Sequence, residues 1–162
     1  MTAKNLLELT ADDLIRKITN NKGLSIFAAE RSKFEGWFKV ELIDTLLKNE
    51  KKAKPEIDLI DIVFKDTAIE LKTINTNYRF DDVKDKHRPI TKNINSVLKD
   101  ISDLEKKELK NKFVVFIVFP LSLDEAKWNQ HISKIENKLT ELVCEKFKFN
   151  KGIPAAIYYG KV

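Results

Sequence analysis

Residues 57–74 read IDLIDIVFKDTAIELKTI, and this stretch decides the fold. Two segments, 57–64 and 68–74, are rich in β-branched and other apolar residues, and the second alternates between apolar and polar positions. The short polar link Lys65-Asp66-Thr67 separates them. Such a pattern predicts two antiparallel strands joined by a hairpin turn.

The charged residues of this hairpin are constrained by strand geometry. Glu70 and Lys72 are two positions apart, so both side chains point to the same face of their strand. Asp58 and Asp61 differ by an odd number of positions, so they face opposite ways and only one can join Glu70. A two-residue turn within the link brings Asp61 to that face, whereas a three-residue turn brings Asp58 there. Because two-residue turns are commoner, we favour Asp61 and keep Asp58 as the alternative.

The rest of the chain shows mostly helical periodicity around further apolar strands. The order of elements predicts an α/β protein in which a single domain, residues 1–162, holds a mixed β-sheet flanked by helices. The predicted elements outside the hairpin are a short helix capped by Thr10, a helix over about 32–48, a loop over 49–56, a long basic loop over 75–89, a helix from Ile90, a central strand over 112–119, a helix over 122–146 and a last strand after Gly152.

Composition and charge exclude several classes of protein. The chain has 162 residues, of which 43% are hydrophobic and 34% are charged, as expected of one soluble globular domain. Cys144 is the only cysteine, which excludes an intrachain disulfide and a four-cysteine zinc site. Neither a secretory signal nor an apolar run of membrane-spanning length is found, so we expect a cytoplasmic protein that does not enter a membrane. The net charge of +5 is compatible with a polyanionic partner.

Acidic residues within apolar patterns indicate a site that binds a cation. An Asp inside the strand 57–64 would cost several kcal/mol if it were buried without a partner. Glu41 is a further acid, and it falls within the apolar stripe of the helix predicted over 32–48. Mg²⁺ favours carboxylate and water ligands, and a divalent metal can activate water and neutralise a phosphodiester. The acids therefore predict a shared divalent cation, with Lys72 close enough to orient the attacking water.

A helix with an inward Glu, a strand with an Asp, a short hairpin and the sequence Ile69-Glu70-Leu71-Lys72 together resemble the PD-(D/E)XK, or restriction endonuclease-like, nuclease superfamily. The resemblance covers about residues 32–120. It implies an αβββαβ core, preceded here by an extra N-terminal helix and followed by a C-terminal helix and strand. It also implies Mg²⁺- or Mn²⁺-dependent cleavage of DNA in restriction, repair or recombination.

The resemblance also implies roles for individual residues. Asp61 or Asp58, together with Glu70, would bind the metal, and Lys72 would be the catalytic lysine. Glu41 would be the helix acid, with Glu35 as the alternative for that role.

The basic loop after the Glu-x-Lys strand is a candidate surface for DNA phosphates. We expect contacts from Arg79, Lys86, Arg88 and Lys92, and a homodimer is possible. Two other functions stay open at this stage. One is a noncatalytic domain that binds nucleic acid or protein and keeps a nuclease-like core, and the other is a small α/β protein whose acids simply pair with neighbouring lysines.

Overall fold

Five helices and six strands lie within residues 1–85, 90–122 and 126–162, which are the residues that the computed structural model describes. In chain order they are α1 (Ala3–Asn20), α2 (Lys22–Ala29), α3 (Glu35–Lys48), β1 (Lys54–Ile57), β2 (Ile60–Phe64), β3 (Thr67–Asn75), α4 (Ile90–Glu105), β4 (Asn111–Phe119), α5 (Ala126–Glu136), β5 (Glu141–Lys148) and β6 (Pro154–Lys161).

The six strands form one mixed sheet in the order β1-β2-β3-β4-β6-β5. β1, β2 and β3 are an antiparallel meander, β4 runs parallel to β3 after the crossover through α4, and β6 is antiparallel to both β4 and β5. The predicted single α/β domain with a mixed sheet is therefore confirmed. No helix within the described residues combines the length and the apolar character needed to cross a membrane.

The sheet is covered on both faces because its central strand is apolar on both sides. Every residue of β4 from Phe113 to Phe119 is buried. Val115 and Ile117 belong to the core shared with α1 and α3, whereas Val114 and Phe116 belong to the core shared with α4 and α5. The sequence prediction of a doubly covered strand is confirmed, and β3 lies directly beside it.

The hairpin between β2 and β3 has the turn that sequence favoured. Phe64 pairs with Thr67, so Lys65 and Asp66 alone form the turn, and the register continues to the pair Ile62 and Ile69. Lys65 has a φ of 51°, the left-handed region that two-residue hairpin turns require. One further step along this register sets Asp61 across from Glu70.

The predicted start of the first helix was wrong. Thr10 was expected to cap the first helix, but α1 begins at Ala3 and is capped by Thr2. Thr10 is buried inside the helix, where its hydroxyl donates to the Leu6 carbonyl oxygen and lies 2.9 Å from the Tyr159 hydroxyl. The chain after α1 forms the short helix α2, which Asn21 caps by accepting a hydrogen bond from the Leu24 N–H.

The predicted helix over 122–146 was also wrong in its second half. α5 ends at Glu136, and β5 pairs with β6 from Glu141 to Lys148. Apolar residues spaced along 139–143 fit a helical stripe, but pairing with an otherwise unsatisfied sheet edge overrides that local preference. The prediction of a loop over 49–56 was also wrong, because β1 lies largely in this segment. All four residues of β1 are exposed, so they show no apolar pattern that would indicate a strand.

Glu41 was predicted as the helix acid of the metal site, but the structure pairs it with another helix. Its carboxylate lies 2.8 Å from the ammonium of Lys17 on α1. Lys17 also lies 2.6 Å from Asp44 and 3.2 Å from Asp13. The three acids thus share one largely buried lysine, which ties α1 to α3 and accounts for Glu41 without a metal ion.

We predict that Lys17→Met lowers the free energy of unfolding by roughly 1–3 kcal/mol at pH 7, because it leaves three carboxylates facing one another. This range lies between the values for exposed ion pairs and for buried pairs that lose one partner. Urea unfolding measures the change. Lys48→Met is the matched control, since Lys48 binds two of the same acids from a half-exposed position and should change stability less. Equal losses in both variants would contradict the central role of Lys17.

Candidate functional site

The candidate site lies where β2 stops pairing with β3. The last residue pair between the two strands is Ile62 with Ile69. Beyond it, the N–H groups of β3 that face β2 need other acceptors. The Leu71 N–H donates to Asp61 Oδ2 at 2.8 Å, and the Thr73 N–H donates to Glu35 Oε1 at 2.9 Å. Two carboxylates therefore take the place of a neighbouring strand at this edge of β3.

Asp61 and Glu70 form a half-buried pair of acids with very different proton affinities. Burial raises the pKa of Glu70 to about 8, and the negative charge of Asp61 and a hydrogen bond shared with it act in the same direction. Burial also opposes ionisation of Asp61, but hydrogen bonds from Lys39 and from the Leu71 N–H outweigh it and lower the pKa of Asp61. At neutral pH the pair therefore carries one proton, held by Glu70.

Lys39, on α3, supplies the positive charge that keeps Asp61 ionised. Its ammonium lies 2.7 Å from Asp61 Oδ1 and 3.0 Å from Glu56 Oε1. The Lys39 and Asp61 side chains are 19% and 22% exposed, so this contact is screened less than a surface pair. It holds the Asp61 carboxylate through Oδ1, whereas Oδ2 accepts the backbone hydrogen bond from Leu71.

Lys72 lies on the same face of β3 as Glu70, as the alternation predicted, and it pairs with an acid from α4. Its ammonium is 2.9 Å from Asp100 Oδ2, and the two side chains are 23% and 15% exposed. Burial disfavours the charge on Lys72, but the hydrogen bond and the charge of Asp100 outweigh it and raise the pKa of Lys72. Lys72 is therefore held as a cation beside the carboxylate pair.

Glu35, the alternative helix acid, lies much closer to this group than Glu41 does. It is the first residue of α3, and besides the Thr73 N–H it lies 3.8 Å from Lys33. Its negative charge also contributes to the raised pKa of Lys72. The structure thus associates Glu35 with the candidate site and leaves Glu41 outside it.

A cleft of about 610 Å³ opens onto these residues. Most of the side chains that line it are acids and lysines, and the exposed Leu59 is among the others. The residues that line it are Leu59, Asp61, Glu70, Lys72, Lys99, Asp100, Asp103, Leu104, Lys106 and Lys107. The cleft is open to solvent.

Several predicted residues lie elsewhere. Asp58 was the alternative to Asp61, but it occupies the turn between β1 and β2, is exposed and has a φ of 51°. Arg79 and Lys92 are exposed, and neither is among the described residues that line the cleft. Lys86 and Arg88 lie outside the described residues.

Sequence reasoning missed the contributions of α4 and α3 to the site. Asp100 lies on α4 next to the buried Ile101, Lys99 precedes it, and Lys106 and Lys107 come directly after the last residue of the helix. Lys39 lies four positions after Glu35 on α3, and this spacing puts both on one face of the helix. The sequence spacing could therefore have predicted that Lys39 joins Glu35 at the site. The Lys72–Asp100 pair could not be predicted in this way, because it depends on how α4 packs on β3.

The residues present fit a magnesium-type site, although they do not form a closed metal cage. Among the described residues, no group of three or more His, Cys, Asp or Glu side chains could hold a metal ion by itself. Mg²⁺ usually keeps several water ligands and binds through one or two carboxylates together with substrate phosphates. The half-buried pair of Asp61 and Glu70, with a proton held between two acids, matches that smaller requirement.

Comparison with known proteins gives no relative of this chain, since no family model, curated protein or solved structure matches it. Its function is therefore argued from the geometry of the site.

We predict that Glu70→Gln raises the free energy of unfolding at pH 8.5 by about 1–3 kcal/mol and changes it little at pH 4. With a folded-state pKa near 8, Glu70 keeps a proton that the unfolded chain loses above its ordinary pKa of 4.5. Its contribution to stability therefore falls as the pH rises between these values, and Gln abolishes this penalty. Urea unfolding at both pH values checks it. An equal effect at pH 4 and pH 8.5 would show that Glu70 titrates normally.

Proposed function

We propose that the protein is a divalent-metal-dependent nuclease that cleaves DNA. The observation that carries the proposal is the half-buried pair Asp61 and Glu70 on adjacent strands, with the Lys72 cation beside it on the same face of the sheet. The order α3, β1, β2, β3, α4, β4 supports it, since it is the αβββαβ order that the PD-(D/E)XK resemblance implies. The resemblance then assigns metal binding to Asp61 and Glu70 and catalysis to Lys72.

Asp61 and Glu70 would hold Mg²⁺ or Mn²⁺, which when bound supplies an activated water and neutralises charge on the scissile phosphate. Glu70 must first lose its proton, because a neutral carboxyl is a poor ligand. Asp61 is already ionised, and its bonds to Lys39 and to the Leu71 N–H leave further lone pairs on its oxygens.

The other charged residues would position the reacting groups. Lys72 donates hydrogen bonds to the attacking water or to the phosphate, and Asp100 keeps its ammonium directed into the cleft. Lys39 and the Leu71 N–H orient Asp61. Lys99, Lys106 and Lys107 lie along the same cleft, where they attract the phosphates on either side of the scissile bond.

We predict that the wild-type chain cleaves plasmid or single-stranded DNA with Mg²⁺ or Mn²⁺ and that EDTA abolishes cleavage. Asp61→Asn, Glu70→Gln and Lys72→Met should each lower the rate at least about 100-fold, because each loses a ligand or a proton donor at the reacting phosphate. Gel analysis of product formation measures these rates.

Asp58→Asn is the matched control for Asp61→Asn. It makes the same chemical change three residues away, in an exposed turn with positive φ that Asn tolerates well. It should cleave at the wild-type rate, and loss of cleavage in this variant would restore Asp58 as the metal ligand. Salt-dependent DNA binding without product in any metal would instead favour the noncatalytic nucleic-acid-binding domain.

We predict that the affinity for Mg²⁺ or Mn²⁺ increases between pH 6.5 and pH 9, because ion binding displaces the proton that Glu70 holds up to a pKa of about 8. Isothermal titration calorimetry in buffers of different ionisation enthalpy gives the number of protons released. The number should approach one at pH 7 and fall toward zero at pH 9. Asp61→Asn should bind the metal weakly at every pH, and metal binding without proton release would contradict the pairing of the two acids.

A further inference from the structure

Leu59 is the most exposed large apolar residue on the described surface. Its relative exposure is 97%, against 63% for Val40 and 53% for Leu47, both on α3. It forms the tip of the β1–β2 hairpin together with Asp58, because Ile57 pairs with Ile60 and leaves a two-residue turn. Packing within the chain therefore does not explain a leucine at this position.

The backbone of this turn is unfavourable for leucine. Asp58 has a φ of 51° and Leu59 a φ of 65°, and two-residue turns of this kind strongly prefer Asn or Gly. A bulky residue with positive φ is an outlier among protein residues. A residue that is both strained and exposed contributes nothing evident to folding, and such positions concentrate where ligands bind.

The hairpin tip projects beside the carboxylate pair. Leu59 lines the main cleft with Asp61, Glu70 and Lys72, and it also lines a second depression of about 350 Å³ with Lys39 and Asp61. It thus forms the ridge between two hollows that both reach Asp61. Lys107, two residues after the end of α4, donates to the Asp58 carbonyl oxygen at 2.9 Å, which ties the tip to the opposite wall.

We infer that Leu59 is a wedge that packs against the bases of bound DNA and unstacks them next to the scissile phosphate. This rests on the proposed nuclease function. Leucine is among the apolar residues that proteins insert between base steps to kink a duplex. In this arrangement the lysines of the cleft bind the DNA phosphates on one side of the carboxylates. The apolar tip then contacts the bases of the same nucleotides.

Charge favours DNA over an apolar protein partner as the occupant. Lys99, Lys106 and Lys107 lie on the wall that Leu59 faces, and Lys39 lies in the hollow behind it. A single leucine ringed by lysines and acids offers too little continuous apolar surface for a protein interface, whereas it suits a base face flanked by phosphates.

The test uses DNA duplexes with 2-aminopurine at successive positions, because the fluorescence of this base rises when it is unstacked. The chain carries Lys72→Met, which prevents cleavage and keeps both proposed metal ligands, and it is titrated in Mg²⁺. With Leu59 present, we expect fluorescence to increase at least twofold at one or two neighbouring positions. Leu59→Asn in the same background should abolish the increase and weaken binding about 3- to 10-fold, with an unchanged salt slope because no charge is removed.

Asn is favourable in this turn, so Leu59→Asn should fold at least as well as the parent, as urea unfolding will check. Leu59→Met keeps an apolar tip and should retain most of the fluorescence increase. Leu47→Gln, which removes another exposed leucine far along α3, should change neither signal.

Two results would overturn the wedge while metal-dependent cleavage still supports the nuclease. One is DNA bound without any fluorescence increase, and the other is an equal increase for the parent chain and for Leu59→Asn. Absence of both DNA binding and cleavage would overturn both proposals.

Discussion

The separation of β2 from β3 beyond Ile62 is the constraint on which the candidate site depends. Backbone N–H groups at a partly buried strand edge must find acceptors, and here the acceptors are the carboxylates of Asp61 and Glu35. Because Asp61 is drawn to the Leu71 N–H, it is held against Glu70 on the neighbouring position of β3. The strand edge therefore brings two acids together that would repel one another if both were ionised, and Glu70 keeps its proton.

The two clusters of acids in the protein have their charge balanced in different ways. Asp13, Glu41 and Asp44 share the Lys17 ammonium, so each has a cation within the chain. At the strand edge Lys39 serves Asp61 and Lys72 serves Asp100, and Glu70 is left to keep its proton. One group has its charges balanced by the fold, whereas the other is balanced by a proton that, in the proposed function, a metal ion would replace.

The sequence predicted the parts of the site that depend on local rules. Alternation in β3 placed Glu70 and Lys72 on one face, and turn length chose Asp61 over Asp58. It failed where tertiary packing decides the outcome: Glu41 fits an apolar stripe equally well whether it faces a metal or Lys17, and Asp100 joins Lys72 only through the crossover of α4. β1 could not be predicted because its four residues are exposed and carry no apolar periodicity.

The charges of the cleft also connect metal binding with DNA binding in the proposed function. Lys72 is engaged by Asp100, and Lys99 and Lys106 both pair with Asp103. Much of the positive charge of the cleft is thus already compensated, and Asp61 repels a phosphate that approaches the site. A bound divalent cation reverses the sign of the field at that point. In the proposed function each ligand would therefore strengthen the binding of the other by the same factor, so that DNA would reach the reacting position mainly when the metal ion is present.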